Sequence, residues 1–386
     1  MDGGRPIYLD YAATTPVDER VAAAMGECLT LSGTFGNPAS LHGYGRAARE
    51  RVEEARASAA GLIGAQAQQI VWTSGATESN NLAILGTARV AAKRGGHLIT
   101  VRTEHKSVLD PCRQLEREGF RISYLDTDAD GLVDPQAVAA ALRPDTLLVS
   151  VMHANNETGV VQDVAAIGAI CRQHGVPLHV DAAQSAGKLE LDVARSPIDL
   201  LAFTAHKIYG PKGIGALYFH PERRALLQPL LFGGGHERGL RSGTLAVHQV
   251  VGFGVACELC GQDPAGDAAH MTALRERLWQ GLRQIEGAVR NGHPSRCVPS
   301  ILNVSFSGVE GESLLMGLPE LAVSTGSACN SDSDEPSYVL RALGRSTELA
   351  QSSLRFSLGR WTRQHEIDAA IAAVTREVGR LRAVVP

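Results

Sequence analysis

The sequence predicts an α/β protein in which a large domain built on a mostly parallel, seven-stranded sheet is joined to a smaller C-terminal α+β domain. Three observations carry this expectation. Short β-rich runs alternate with longer helical patterns through the first two-thirds of the chain. A composition change falls in "CGQDPAGDAAH", Cys260 to His270, and reads as a boundary loop. The 386 residues exceed what one small core organises.

The elements follow in order. "PIYLDYA" near the start reads as a strand that could join either part. The seven strands expected in the sheet are "QIVWT", "HLITV", "RISYL", "LLVSV", "LHVDA", "LLAFT" and "GALYF". Between most of them lie patterns such as "VAAIGAICRQHG", with apolar residues at helical spacing and a glycine to stop. Apolar strands alternating with helices imply a parallel sheet covered on both faces. Beyond the boundary come a helix ("MTALRERLWQGLRQIEG"), two strands ("SILNVSF" and "LAVST") and a last helix from about Gln364. The expected division is residues 16–262 for the large domain, and 1–15 with 263–386 for the small one.

Composition narrows the function. Charged residues make up 20% and the formal net charge is −4, which gives no basic surface for nucleic acid. No run approaches the roughly 20 apolar residues of a membrane span. "MDGGRPIYLDY" has no charged-then-apolar signal pattern, so a cytoplasmic protein is expected. The seven scattered cysteines make no disulfide framework. The C-x-x-C of Cys257 and Cys260 lacks a second ligand pair and reads as two small thiols on a buried helix face rather than a metal site.

Ligands of open parallel sheets bind outside the carboxyl ends of the strands. The unusual polar residues collect there: "SGATES" after the first sheet strand, His105 after the second, Asn155 and Asn156 in "MHANNETG", Asp181 with Gln184 just beyond, and His206 with Lys207. Any one of them is explained more simply as a cap, a core histidine or a surface lysine; five strands delivering such groups to one edge make a site. "SGATES" opens a helix with small residues and suits a phosphate, although a plain helix cap explains it equally well. It matches neither the Walker nor the G-x-G-x-x-G spacing. A buried carboxylate at Asp181 needs a cationic partner, which a protonated ring nitrogen would supply. A lysine directly after the apolar "LLAFT" must pair, lose its proton or form an imine. A phosphate, a pyridinium and a lysine imine are the handles of pyridoxal 5'-phosphate.

At these residues the sequence resembles the class V aminotransferase family, and within it the cysteine desulfurases of the IscS and NifS type. The matching stretches run in order through nearly the whole chain: "YLDYAATTPVD", "GTFGNPAS", "TSGATESNNLAI", "TEHKSVL", "NNETG", "HVDAAQSAGK", "AHKIYGPKGIGALY", "GGGHERGLRSGT", "GSACNSDSDEPSYVLRALG" and "SLRFSLGR". The resemblance implies pyridoxal-phosphate fold type I and a homodimer. Lys207 would tether the cofactor, Asp181 pair with the ring nitrogen and Gln184 with the ring hydroxyl. His105 would stack on the ring and carry protons. Thr77, Thr204 and His206 would bind the phosphate, which Thr244 would reach from the other subunit, and Ala76 would also contact the cofactor. Asn156, also a cofactor contact, and Arg355 would hold the substrate carboxylate, with Asn37 near the same pocket.

The reaction implied converts L-cysteine to L-alanine and leaves the sulfur as a persulfide on Cys329, for delivery to an acceptor protein in iron–sulfur cluster, thio-cofactor or tRNA biosynthesis. Cys329 lies in "STGSACNSDSDEP", at about 324–336, which is small, polar and reads as a mobile loop. Its charged neighbours Asp332, Asp334 and Glu335 disfavour a thiolate, so activation must come from elsewhere, with His105 as the candidate. These extra acids suit a basic acceptor surface. The ending "GRLRAVVP" is shorter than the tail with which relatives dock an iron–sulfur scaffold, which leaves a tRNA-thiolation carrier or another sulfur acceptor open. Rival functions are a selenocysteine lyase, another enzyme of the same fold, and a non-catalytic scaffold.

Overall fold

The computed structural model describes residues 4–90, 95–325 and 335–384. Its strands are β1 (Ile7–Tyr8), β2 (Ile70–Thr73), β3 (His97–Val101), β4 (Arg121–Leu125), β5 (Thr146–Met152), β6 (Leu178–Asp181), β7 (Leu200–Thr204), β8 (Gly215–Phe219), β9 (Ala288–Asn291), β10 (Ile301–Phe306), β11 (Leu321–Ala322) and β12 (Ser353–Ser357). Seven of them form the expected sheet, in the order β2-β8-β7-β6-β5-β3-β4. Only β8 runs antiparallel to its neighbours. Six of the seven are wholly or almost wholly buried, and β4 is the half-exposed edge.

Helices cover both faces, as near-continuous apolar strands require. Helices α1 (Glu19–Gly26) and α2 (Gly43–Gly61) pack one face; α3 (Ala76–Val90) and α4 (Lys106–Arg117) pack the other. Alternation sorts the strand residues. Trp72 and Tyr218 join Val52, Phe203 and Phe253 on the first face, while Val71 and Leu217 join Leu82, Leu98 and Leu115 on the second. A separate core lies between β12-β10-β9 and two long helices, through Leu278, Leu302, Val304, Phe306, Phe356 and Val374. β1 pairs in parallel with β11, and Leu9 belongs to this second core.

The boundary loop expected at Cys260–His270 is not a loop. After α5 (Pro135–Ala141) and α6 (Val164–Gln173), α7 (Val247–Gln262) runs almost directly into α8 (Pro264–Leu282). Asp263 caps α8 by accepting from Gly266 N, and Pro264 takes the first turn, where its missing N–H costs nothing. The Asp, Pro and Gly residues that signalled a loop are a helix start. Cys257 and Cys260 are both buried on α7, and burial pushes the Cys260 thiol up to about 11.

The sheet places the site edge through one register. Thr73 at the end of β2 and Thr204 at the end of β7 both pair with Gly215. A Cβ at Gly215 would meet Gly75 Cα at 2.6 Å, so the turn after β2 closes directly over this position. Gly215→Ala is therefore expected to cost about 1–3 kcal/mol as an overpacking change. A urea-unfolding midpoint equal to that of the parent protein would show that the turn does not rest there.

Candidate active site

At the carboxyl edge of the sheet lies a cavity of about 550 Å³. Ten of the residues singled out by sequence line it: Ala76, Thr77, His105, Asn156, Asp181, Gln184, Thr204, His206, Lys207 and Arg355. Asn37 and Thr244 are exposed and lie outside its wall in the single chain. Cys329 lies outside the described residues.

Lys207 ends a single 3-10 turn, Ala205–Lys207, that follows β7. Its Nζ donates to the carbonyls of Ala12 (2.5 Å) and Ala13 (2.8 Å). Tyr209, just beyond, takes the left-handed backbone conformation at φ 66°, which is costly for an aromatic residue. Its N–H donates to Thr15 Oγ1 at 2.8 Å, its hydroxyl accepts from Arg360 N at 2.6 Å, and the Arg360 guanidinium stacks 4.6 Å from its ring. These contacts hold the turn that aims Lys207 into the cavity.

Asp181 is the last residue of β6 and is 3% exposed. Its Oδ1 accepts from Ala183 N at 2.9 Å and its Oδ2 from Asn80 Nδ2 at 2.8 Å. Asn80 Nδ2 also donates to Ser107 Oγ at 2.8 Å, and that hydroxyl lies 2.8 Å from His105 Nδ1. His105 is the N-cap of α4 and accepts from Ser107 N through Nδ1. In the neutral ring this leaves the proton on Nε2. Burial lowers the His105 pKa; Asp181 opposes this and Lys207 adds to it.

Backbone at the start of α3 forms one wall: Ser74, Gly75, Ala76 and Thr77 all face the cavity. The first amides of a helix have no intrahelical acceptor and carry the positive end of its dipole. His206 faces the same cavity, and burial with the charges of Lys207, Lys212 and Lys188 holds it down to about 4, so it is neutral at pH 7. Thr204 differs from expectation in one respect: its hydroxyl donates to the Ile214 carbonyl at 3.0 Å, which commits its proton.

Arg355 enters from β12, in the smaller core. It donates from Nη1 to the Asn156 carbonyl (2.9 Å) and from Nη2 to Asp10 Oδ1 (2.8 Å). Its Nε is buried without a hydrogen-bond partner among the described residues. Each terminal nitrogen keeps a second hydrogen, so the guanidinium retains donors for an anion at the cavity wall.

Sequence reasoning missed Asn80, Ser107, Glu104, Lys188 and Asp10. Asn80 sits fully buried inside α3, where an amide finds no water, and only its place on the sheet-facing side of the helix would have signalled it. Glu104 accepts from Met152 N at 2.6 Å, and burial pushes its carboxyl well above the usual range. Asn80→Ala is expected to leave an oxygen of the buried Asp181 without its donor, costing about 1–3 kcal/mol. Equal thermal midpoints for variant and parent would contradict this.

The family model for aminotransferase class V matches residues 7–370. A protein named cysteine desulfurase IscS, from Pectobacterium atrosepticum, is 57% identical over 382 residues, covering 99% of this chain and 95% of that one. Among solved structures, a NifS-like protein superposes with a TM-score of 0.91 at 34% identity, covering 97% of this chain and 100% of the other. A structure described as SspA in complex with cysteine gives a TM-score of 0.83 at 39% identity, covering 92% and 100%. The central sheet, the ordered motifs and these likenesses agree, and the chain belongs to the class V aminotransferase family, among its pyridoxal-phosphate-dependent cysteine desulfurases of fold type I.

Proposed function

We propose that this chain converts L-cysteine to L-alanine and carries the released sulfur as a persulfide on Cys329 to an acceptor protein. The observation that carries the proposal is the single cavity that joins Lys207, Asp181, His105, the start of α3 and Arg355, in a chain so similar to named cysteine desulfurases.

The residues present fit pyridoxal 5'-phosphate. The α3 amides and the neutral His206 suit the phosphate, and the buried Asp181 suits a protonated ring nitrogen. Gln184, His105 and Lys207 line the same cavity; Gln184 would meet the ring hydroxyl, His105 would stack on the ring and the Lys207 amine would form the covalent tether. Thr77, exposed at the cavity mouth, and Thr244 of the partner in a homodimer would complete the phosphate site. When bound, the cofactor supplies an electron sink for charge developing at the substrate α-carbon.

The chain's own groups do the rest. Arg355 and Asn156 fix the substrate carboxylate, and Asn37 would stand near it. The Lys207 amine takes the α-proton, while Asp181 keeps its partner nitrogen charged. Neutral His105, with its proton on Nε2, would exchange protons near the substrate sulfur. The Cys329 thiolate attacks that sulfur: an S–S bond forms, the substrate C–S bond breaks, the β-carbon gains a proton and the Lys207 amine returns the α-proton, which gives alanine. Neither a metal nor an external reductant is needed for this step.

Two measurements test the reading. Incubation with cysteine followed by mass mapping should place the extra sulfur on Cys329; sulfur found only on another residue would overturn the proposal. Arg355→Lys replaces a planar fork with a point charge and should raise KM for cysteine by roughly 10-fold or more, from about 1.5–3 kcal/mol of charged hydrogen bonding. An unchanged KM would remove Arg355 from substrate binding.

A further inference from the structure

Behind the main cavity lies a second, narrow one, walled by Lys188, Lys207, Tyr209, Cys260 and Arg360. Lys207 faces both cavities, whereas Lys188 faces only the rear one and Gln184 only the main one. Gln184 is 3% exposed and stands in the partition. Lys188 Nζ reaches it from behind and donates to Oε1 at 3.0 Å. On its other side Gln184 Nε2 donates to the Ala12 carbonyl at 2.8 Å, the carbonyl that also accepts from Lys207.

A primary amide can sit in two orientations of nearly identical shape, and only its partners distinguish them. An ammonium has donors and no acceptor, so it selects the orientation that turns Oε1 to the rear. The Nε2 end then faces Ala12 and the cavity, with one hydrogen used and one available. The Ala12 carbonyl, an acceptor only, favours the same orientation, so Lys188 and Ala12 hold the amide from its two ends. The charged and titratable groups acting on Lys188 are Lys207, Cys260 and Arg355, and Tyr209, Asp267 and Arg360 share its cavity wall; burial, followed by Lys207, pulls its pKa down to about 7. Gln184 Oε1 is the acceptor that favours the charged form of this crowded amine.

We infer that Lys188 is a positioning residue: it holds the Gln184 amide so that its N–H group meets the negative ring oxygen of the bound cofactor. This rests on the cofactor reading above. The N–H group and the hydrogen bond that polarises it from behind together stabilise a negative ring oxygen. Losing them favours protonation of the chromophore, so the pH midpoint of its visible band should rise.

The test is a pH titration of the visible absorption band of the cofactor-loaded holoenzyme. Lys188→Met keeps the stem and removes the donor; its midpoint should lie about one pH unit above that of the parent, the equivalent of one charged hydrogen bond. Lys188→Arg keeps a donor and a charge and should restore most of the parent midpoint. Adding Lys188→Met to Gln184→Leu should shift the midpoint no further. An unshifted Lys188→Met titration, or an equal shift in the Gln184→Leu background, would overturn the inference. If Lys188→Met does not fold, Lys188→Leu is read by the same criteria. A parent protein with no visible band at all would defeat the cofactor reading, a result distinct from an unshifted variant.

Discussion

A carboxylate at the end of a central, fully covered strand is the constraint around which this site is organised. Asp181 lies between β5 and β7 in the middle of the sheet, where desolvation would cost several kcal/mol if it stood alone. Two donors, Ala183 N and Asn80 Nδ2, hold its two oxygens without neutralising it. The carboxylate acts on His105 and suits a cation brought into the cavity.

The other elements follow from serving that point. The parallel order brings the ends of β2, β3, β5, β6 and β7 to one side, so a helix start, a histidine, an asparagine loop and a lysine turn converge there. The left-handed turn at Tyr209 and the close seat of Gly75 on Gly215 constrain two of those ends. Arg355 comes from β12 of the smaller sheet, so the cavity wall it forms is assembled only when the two sheets are packed together. Its contacts to Asp10 and Asn156 tie the N-terminal segment, the asparagine loop and β12 into one wall.

Much of this was legible in the residues. Seven apolar runs identified seven strands because a strand buried on both faces leaves a short, continuous pattern with helical spacing between. The edge cluster was visible because polar residues directly after such runs have one place to go. The link between α7 and α8 was misread because Asp, Pro and Gly serve a helix start as well as a loop, and local composition does not separate the two. Asn80 and Lys188 were hidden for a different reason. Their partners, Asp181 for one and the Gln184 amide in a partition between two cavities for the other, depend on tertiary placement that no spacing reveals.

The central claim is that Asp181 keeps a bound ring nitrogen protonated. The direct measurement is the nitrogen chemical shift of pyridoxal phosphate labelled with nitrogen-15 in its ring and loaded into the protein at neutral pH. The account predicts the shift of a protonated pyridinium, lost in Asp181→Asn. A neutral-pyridine shift in the parent protein would contradict it.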